Sequence, residues 1–107
     1  MRIAFDVDGT LITLNEYPEY GGREQPRWEI VEMLKTLHRA GHEIVVWSGG
    51  GGDYAELWVR RLFLKPYVKE ACGKPITAPT FEGKRLPFCD LCFDDEEVNL
   101  AKVNVKV

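Results

Sequence analysis

The sequence has no apolar run approaching the ~20 residues that cross a bilayer as a helix, and it has no excess of positive charge. Its formal net charge is −3, which argues against broad electrostatic capture of nucleic acid but not against a local basic site. Cysteine is scarce. Cys72, Cys89 and Cys92 are an odd number and too few for a disulfide framework, so a cytoplasmic, reducing setting fits best. Cys89 and Cys92 have C-x-x-C spacing, yet no second such pair and no suitably spaced His completes a zinc site. The three thiols are read as structural. The only histidines, His38 and His42, flank an expected helix end and are read as surface residues. The opening MRIAFDVDGT meets acidic residues too early for a secretion signal. No G-K-[ST] closes the glycine run Gly49 to Gly52, which excludes a Walker-type phosphate loop.

What is there fits one globular domain over residues 1–107, with 45% hydrophobic and 29% charged residues and no room for a second core. RIAFDV at 2–7 is short, apolar and β-rich, and predicts a first strand. Residues 11–25 hold Pro18, Gly21 and Gly22 and predict a loop or small flap. Pro26 suits a helix start. Ile30, Val31, Leu34 and Leu37 then recur at helical spacing, and Gly41 suits the stop. EIVVW at 43–47 reads as a strand covered on both faces. Asp53 is a candidate N-cap for a helix over about 54–65, with Ala55, Trp58, Val59 and Leu62 on one stripe. A short strand is expected within 67–73 and another at 88–93, FCDLCF. The alternating tail VNVKV at 103–107 predicts an edge strand. Strand, helix, strand, helix, strand implies βαβ crossovers: an α/β, three-layer Rossmann-like fold, with a mainly parallel central sheet flanked by helices.

Three polar clusters fall at the C-terminal ends of predicted strands: Asp6 and Asp8 with Thr10, Ser48 with its glycines, and Asp94 with Asp95. In an open parallel sheet those ends line the ligand crevice, so segments distant in sequence can meet there. Two unit charges ~4 Å apart repel by ~4 kcal/mol at an effective dielectric near 20. Four gathered carboxylates therefore call for a cation, and oxygen donors suit Mg²⁺. Such a site is what phosphoryl transfer needs. The duller readings are weaker. Asp-x-Asp-Gly also occurs in turns and calcium loops, but no further ligands follow at EF-hand spacing. Glu96 and Glu97 read as a solvated helix start. Trp28, Trp47 and Trp58 read as core, with Trp47 the one adjoining the site.

These residues resemble the haloacid dehalogenase superfamily over most of the chain. Asp6-Val7-Asp8-Gly9-Thr10 matches its D-x-D-x-T signature. Val45-Val46-Trp47-Ser48-Gly49 is similar to its second motif, and Phe93-Asp94-Asp95 to its acidic fourth motif, in the same order. The resemblance implies a phosphatase with Asp6 as nucleophile, forming an aspartyl-phosphate. Asp8 would protonate the leaving oxygen and then activate water. Ser48 and the backbone near Gly49 would bind the phosphoryl oxygens, and Thr10 would brace the loop. Asp6, the Asp8 carbonyl and Asp94 would hold Mg²⁺, with Asp95 completing or orienting that shell. The third-motif lysine is assigned to Lys74, in Gly73-Lys74-Pro75, with Lys84 as its competitor.

Family members often carry a cap domain over a small substrate. Neither gap in this chain is long enough for one, so a capless member is implied, with a site open to a phosphorylated macromolecule such as a polynucleotide end or a phosphoprotein. A small substrate would call for a second subunit, in a homo-oligomer, to cover the site. Tyr17, Tyr20 and Arg23 of the flap are the expected specificity residues. The rival readings are a non-catalytic phosphate-binding or assembly module with this fold, and a phosphotransferase to an acceptor other than water.

Overall fold

The computed structural model describes residues 1–13, 24–75, 80–81, 84–85 and 89–93. Four strands form an all-parallel sheet: β1 (Arg2–Asp6), β2 (Glu43–Ser48), β3 (Glu70–Gly73) and β6 (Leu91–Phe93). A separate antiparallel pair, β4 (Thr80–Phe81) and β5 (Lys84–Arg85), stands apart from it. The helices are α1 (Trp28–Arg39) between β1 and β2, and α2 (Gly52–Arg61) between β2 and β3. A 3-10 turn at Lys65–Tyr67 joins α2 to β3. The α/β class and the parallel sheet expected from the sequence are both present.

Sheet order is β3-β2-β1-β6. From β1 the chain steps outward through β2 to β3, then returns to the other side of β1 as β6. The reversal falls between β1 and β6, and the crevice at such a switch point opens at the strand C-termini. Side-chain alternation then divides the core. Ile3, Phe5, Ile44 and Val46 pack with Val31 and Leu34 of α1 and with Ala55, Trp58 and Val59 of α2. Ala4, Val45 and Trp47 face the other way, with Cys89, Cys92 and the partly buried Cys72. Both helices therefore cover one face. The third layer expected from the sequence is not found among the described residues. Phe5 stacks on Phe93 with ring centroids 4.7 Å apart, which ties β6 to β1.

Helix ends depart from expectation in instructive ways. Pro26 is not in α1; it bridges to Ile12 at the base of the predicted flap, and α1 begins at Trp28. Trp28 is 56% exposed, so it is no core residue. Helix α2 begins two residues earlier than expected, with Gly51 as N-cap at φ 104°. Asp53 lies in its first turn rather than capping it, where its charge still complements the helix dipole. At the end of α1, Gly41 (φ 95°) donates to His38 O and His42 N–H to Leu37 O, the paired bonds of a Schellman motif. The end of α2 repeats them with Phe63 N–H to Arg60 O and Leu64 N–H to Val59 O. There the left-handed position is held by Phe63, at φ 56°. The expected edge strand at 103–107 lies outside the described residues. No helix among the described residues is long and apolar enough to cross a membrane.

Candidate active site

Strand β1 delivers Asp6 at its end, and the chain turns at once. The Val7 carbonyl accepts N–H bonds from Thr10 (3.2 Å), Leu11 (3.0 Å) and Ile12 (3.2 Å). Gly9 takes φ 75° in this turn, a conformation costly for any residue with a Cβ. The Val7 N–H donates to Asp6 Oδ1 at 3.1 Å. From the start of α1, Arg27 Nη1 donates to the Gly9 carbonyl at 2.8 Å. The Thr10 backbone N–H belongs to this turn, while its buried hydroxyl has no hydrogen-bond partner among the described residues. Residues 11–13 and 25–27 are laced together by Thr13 N–H to Gln25 O and Arg27 N–H to Leu11 O, both 2.8 Å. That lacing forms the base of the expected flap. Tyr17, Tyr20 and Arg23 lie outside the described residues.

Ser48 ends β2, buried, one residue beyond the Asp6–Trp47 pair. Its Oγ accepts the Gly50 N–H at 3.0 Å, which leaves its own proton to be donated. Its carbonyl accepts Gly51 N–H at 3.1 Å and Lys74 N–H at 2.8 Å. That last bond, continuing the Ser48–Gly73 register of β2 and β3, fixes Lys74 at the same sheet edge. Lys74 Nζ stands 3.8 Å from Asp6 Oδ2. The Asp6 side chain is 13% exposed and that of Lys74 33%, so water screens the pair less than it screens a surface ion pair. Lys84 belongs to β5, outside the four-stranded sheet. Gly49 is exposed, with open space around it.

The structure thus brings Asp6, Asp8, Ser48 and Lys74 to one edge. Asp94 and Asp95 lie outside the described residues; β6 ends at Phe93, paired with Phe5 next to Asp6. Among the described residues no group of three His, Cys, Asp or Glu could hold a metal ion. Trp47 is no substrate platform, since it is buried against the cysteines.

One site residue escaped the sequence reading. Tyr54, in the first turn of α2, donates its phenol proton to Asp8 Oδ1 at 2.7 Å. Burial, then the Asp8 hydrogen bond, pushes the phenol up to about 12. A phenol in the first turn of the helix after the glycine run is the available signal, but nothing in the sequence joins it to Asp8. Burial likewise pushes the Cys89 thiol up to about 11, far from the low value of a reactive cysteine. No family model, curated protein or solved structure matches the chain.

Proposed function

We propose that the protein is a magnesium-dependent phosphomonoesterase of the haloacid dehalogenase type, acting through a phosphorylated Asp6. The observation that carries this reading is the meeting of Lys74 with Asp6 at 3.8 Å, beside the switch point of a parallel sheet. A carboxylate nucleophile approaching a phosphate dianion needs a cation at that position. The lysine supplies one from the residue just after β3.

The chemistry follows from the groups present. Asp6 attacks phosphorus, and the bond to the leaving oxygen breaks as Asp8 gives that oxygen a proton. Asp8, now a carboxylate, takes a proton from water, which attacks the acyl phosphate and frees inorganic phosphate and Asp6. Ser48 donates its hydroxyl proton to a phosphoryl oxygen, and Lys74 balances charge. The oxygen donors on the β1 turn fit a hard divalent cation; the Asp6 carboxylate and Asp8 carbonyl would hold it, together with Asp94 and Asp95. Magnesium, when bound, neutralises charge on the transferring group.

Between β2 and Lys74 the chain holds only α2, the 3-10 turn and β3. This supports a capless single domain acting on a large phosphorylated substrate such as a polynucleotide end. No disulfide joins Cys72, Cys89 or Cys92, which suits a cytoplasmic setting. The test is a phosphoester panel that includes an aryl phosphate and oligonucleotides with terminal phosphates. The expected result is phosphate release that stops on chelation and returns with Mg²⁺. Magnesium binding by calorimetry without turnover favours the non-catalytic module instead. Transfer of phosphate to added alcohols favours the transferase.

A further inference from the structure

The phosphatase reading gives Asp8 two tasks, acid and then base, yet Asp8 sits in a turn and is only partly buried. A carboxylate there rotates among several orientations unless something holds it. Tyr54 does so. Its Oη lies 2.7 Å from Asp8 Oδ1, the length of a well-formed O–H···O bond. The phenol stands on a helix anchored in the core by Ala55, Trp58 and Val59. The ring lies against the glycine run: a Cβ at Gly50 would be in ordinary contact with it, 3.4 Å from Tyr54 Cδ1 and 3.5 Å from its Cγ.

We propose that Tyr54 is a positioning residue, holding Asp8 Oδ1 so that Oδ2 is the oxygen that exchanges the proton with the leaving group and then with water. The inference rests on the phosphatase reading and deepens it. Tyr54 keeps its own proton throughout. A group fixed on a rigid element orients its partner better than one on a loop, and a misaligned general acid loses much of its effect.

The experiment compares kcat/KM for wild type and Tyr54→Phe on two esters. One is dinitrophenyl phosphate, whose leaving group needs no proton; the other is an alkyl phosphate, whose leaving group does. The expected result is a loss of about tenfold or more on the alkyl ester and a change within about twofold on the dinitrophenyl ester. Equal losses on both, or no loss on either, overturn the proposal, because a merely structural tyrosine does not distinguish leaving groups. A wild type that cleaves neither ester refutes the phosphatase reading and this inference with it. A wild type active on both, with an unselective variant, refutes the inference alone.

A second measurement does not depend on Tyr54→Phe folding. At neutral pH, nuclear magnetic resonance of Cζ-labelled tyrosine should show one phenol carbon whose shift changes when Asp8→Ala removes its hydrogen-bond acceptor. Tyrosine shifts all unchanged by Asp8→Ala overturn the contact and the proposal.

Discussion

At the N-terminal ends of the strands, Arg2 reaches Glu43 at 3.4 Å and Glu70 at 2.7 Å, and Lys69 reaches Glu43 at 3.9 Å. At the C-terminal ends, Lys74 stands 3.8 Å from Asp6. The distances are similar and the settings are not. The side chains of Arg2, Glu43 and Glu70 are 40–50% exposed, and pairs of that kind are worth little to stability. Asp6 is mostly withdrawn from water, close to a second aspartate in sequence, and set where the sheet order reverses. What distinguishes the proposed active end from the other is burial and topology rather than the presence of charge.

The comparison can be broken from the Asp6–Lys74 end first. Lys74→Met should lower kcat/KM for an aryl phosphate by about a hundredfold, or ~3 kcal/mol of transition-state stabilisation, with the melting temperature nearly unchanged. Steady-state kinetics beside a thermal melt reads both. A large melting shift with retained activity would make the Lys74–Asp6 pair structural, like those at the other end. Phe63→Gly is the intermediate case, away from both ends. Phe63 is 80% exposed and held at positive φ, so glycine relieves backbone strain with little packing lost. Stability should rise by about 1 kcal/mol, or ~5 °C in melting temperature for a domain of this size, with kcat unaltered. The smallest effect is expected at Arg2. Arg2→Met should cost no more than about 1 kcal/mol in chemical denaturation and leave kcat/KM within about twofold of wild type.

Much of the frame was legible because periodicity and burial agree. EIVVW became a buried strand, and Ala55, Trp58, Val59 and Leu62 became the buried stripe of α2. Positions set by backbone geometry were harder to read. Nothing about Phe63 announces a left-handed residue, so the sequence pattern runs α2 past its true end. Asp53 reads as a cap because N-capping preference takes no account of a Gly51 already turning the chain. In the site, sequence interval favours Lys74 over Lys84; what sets Lys74 at the sheet edge is the Ser48 carbonyl, which accepts the Lys74 N–H and extends the β2–β3 register. Tyr54 and Asp8 could not be paired from sequence. Their contact depends on where α2 begins above the sheet, which is a tertiary fact.

The central claim is that Asp6 accepts the phosphoryl group. Acid quenching during turnover, followed by peptide mass spectrometry, tests it most directly. The account predicts a mass gain of one phosphoryl group on the peptide containing Asp6, absent in Asp6→Asn. Turnover with no modified Asp6 peptide, or with Asp6→Asn as active as wild type, would contradict it.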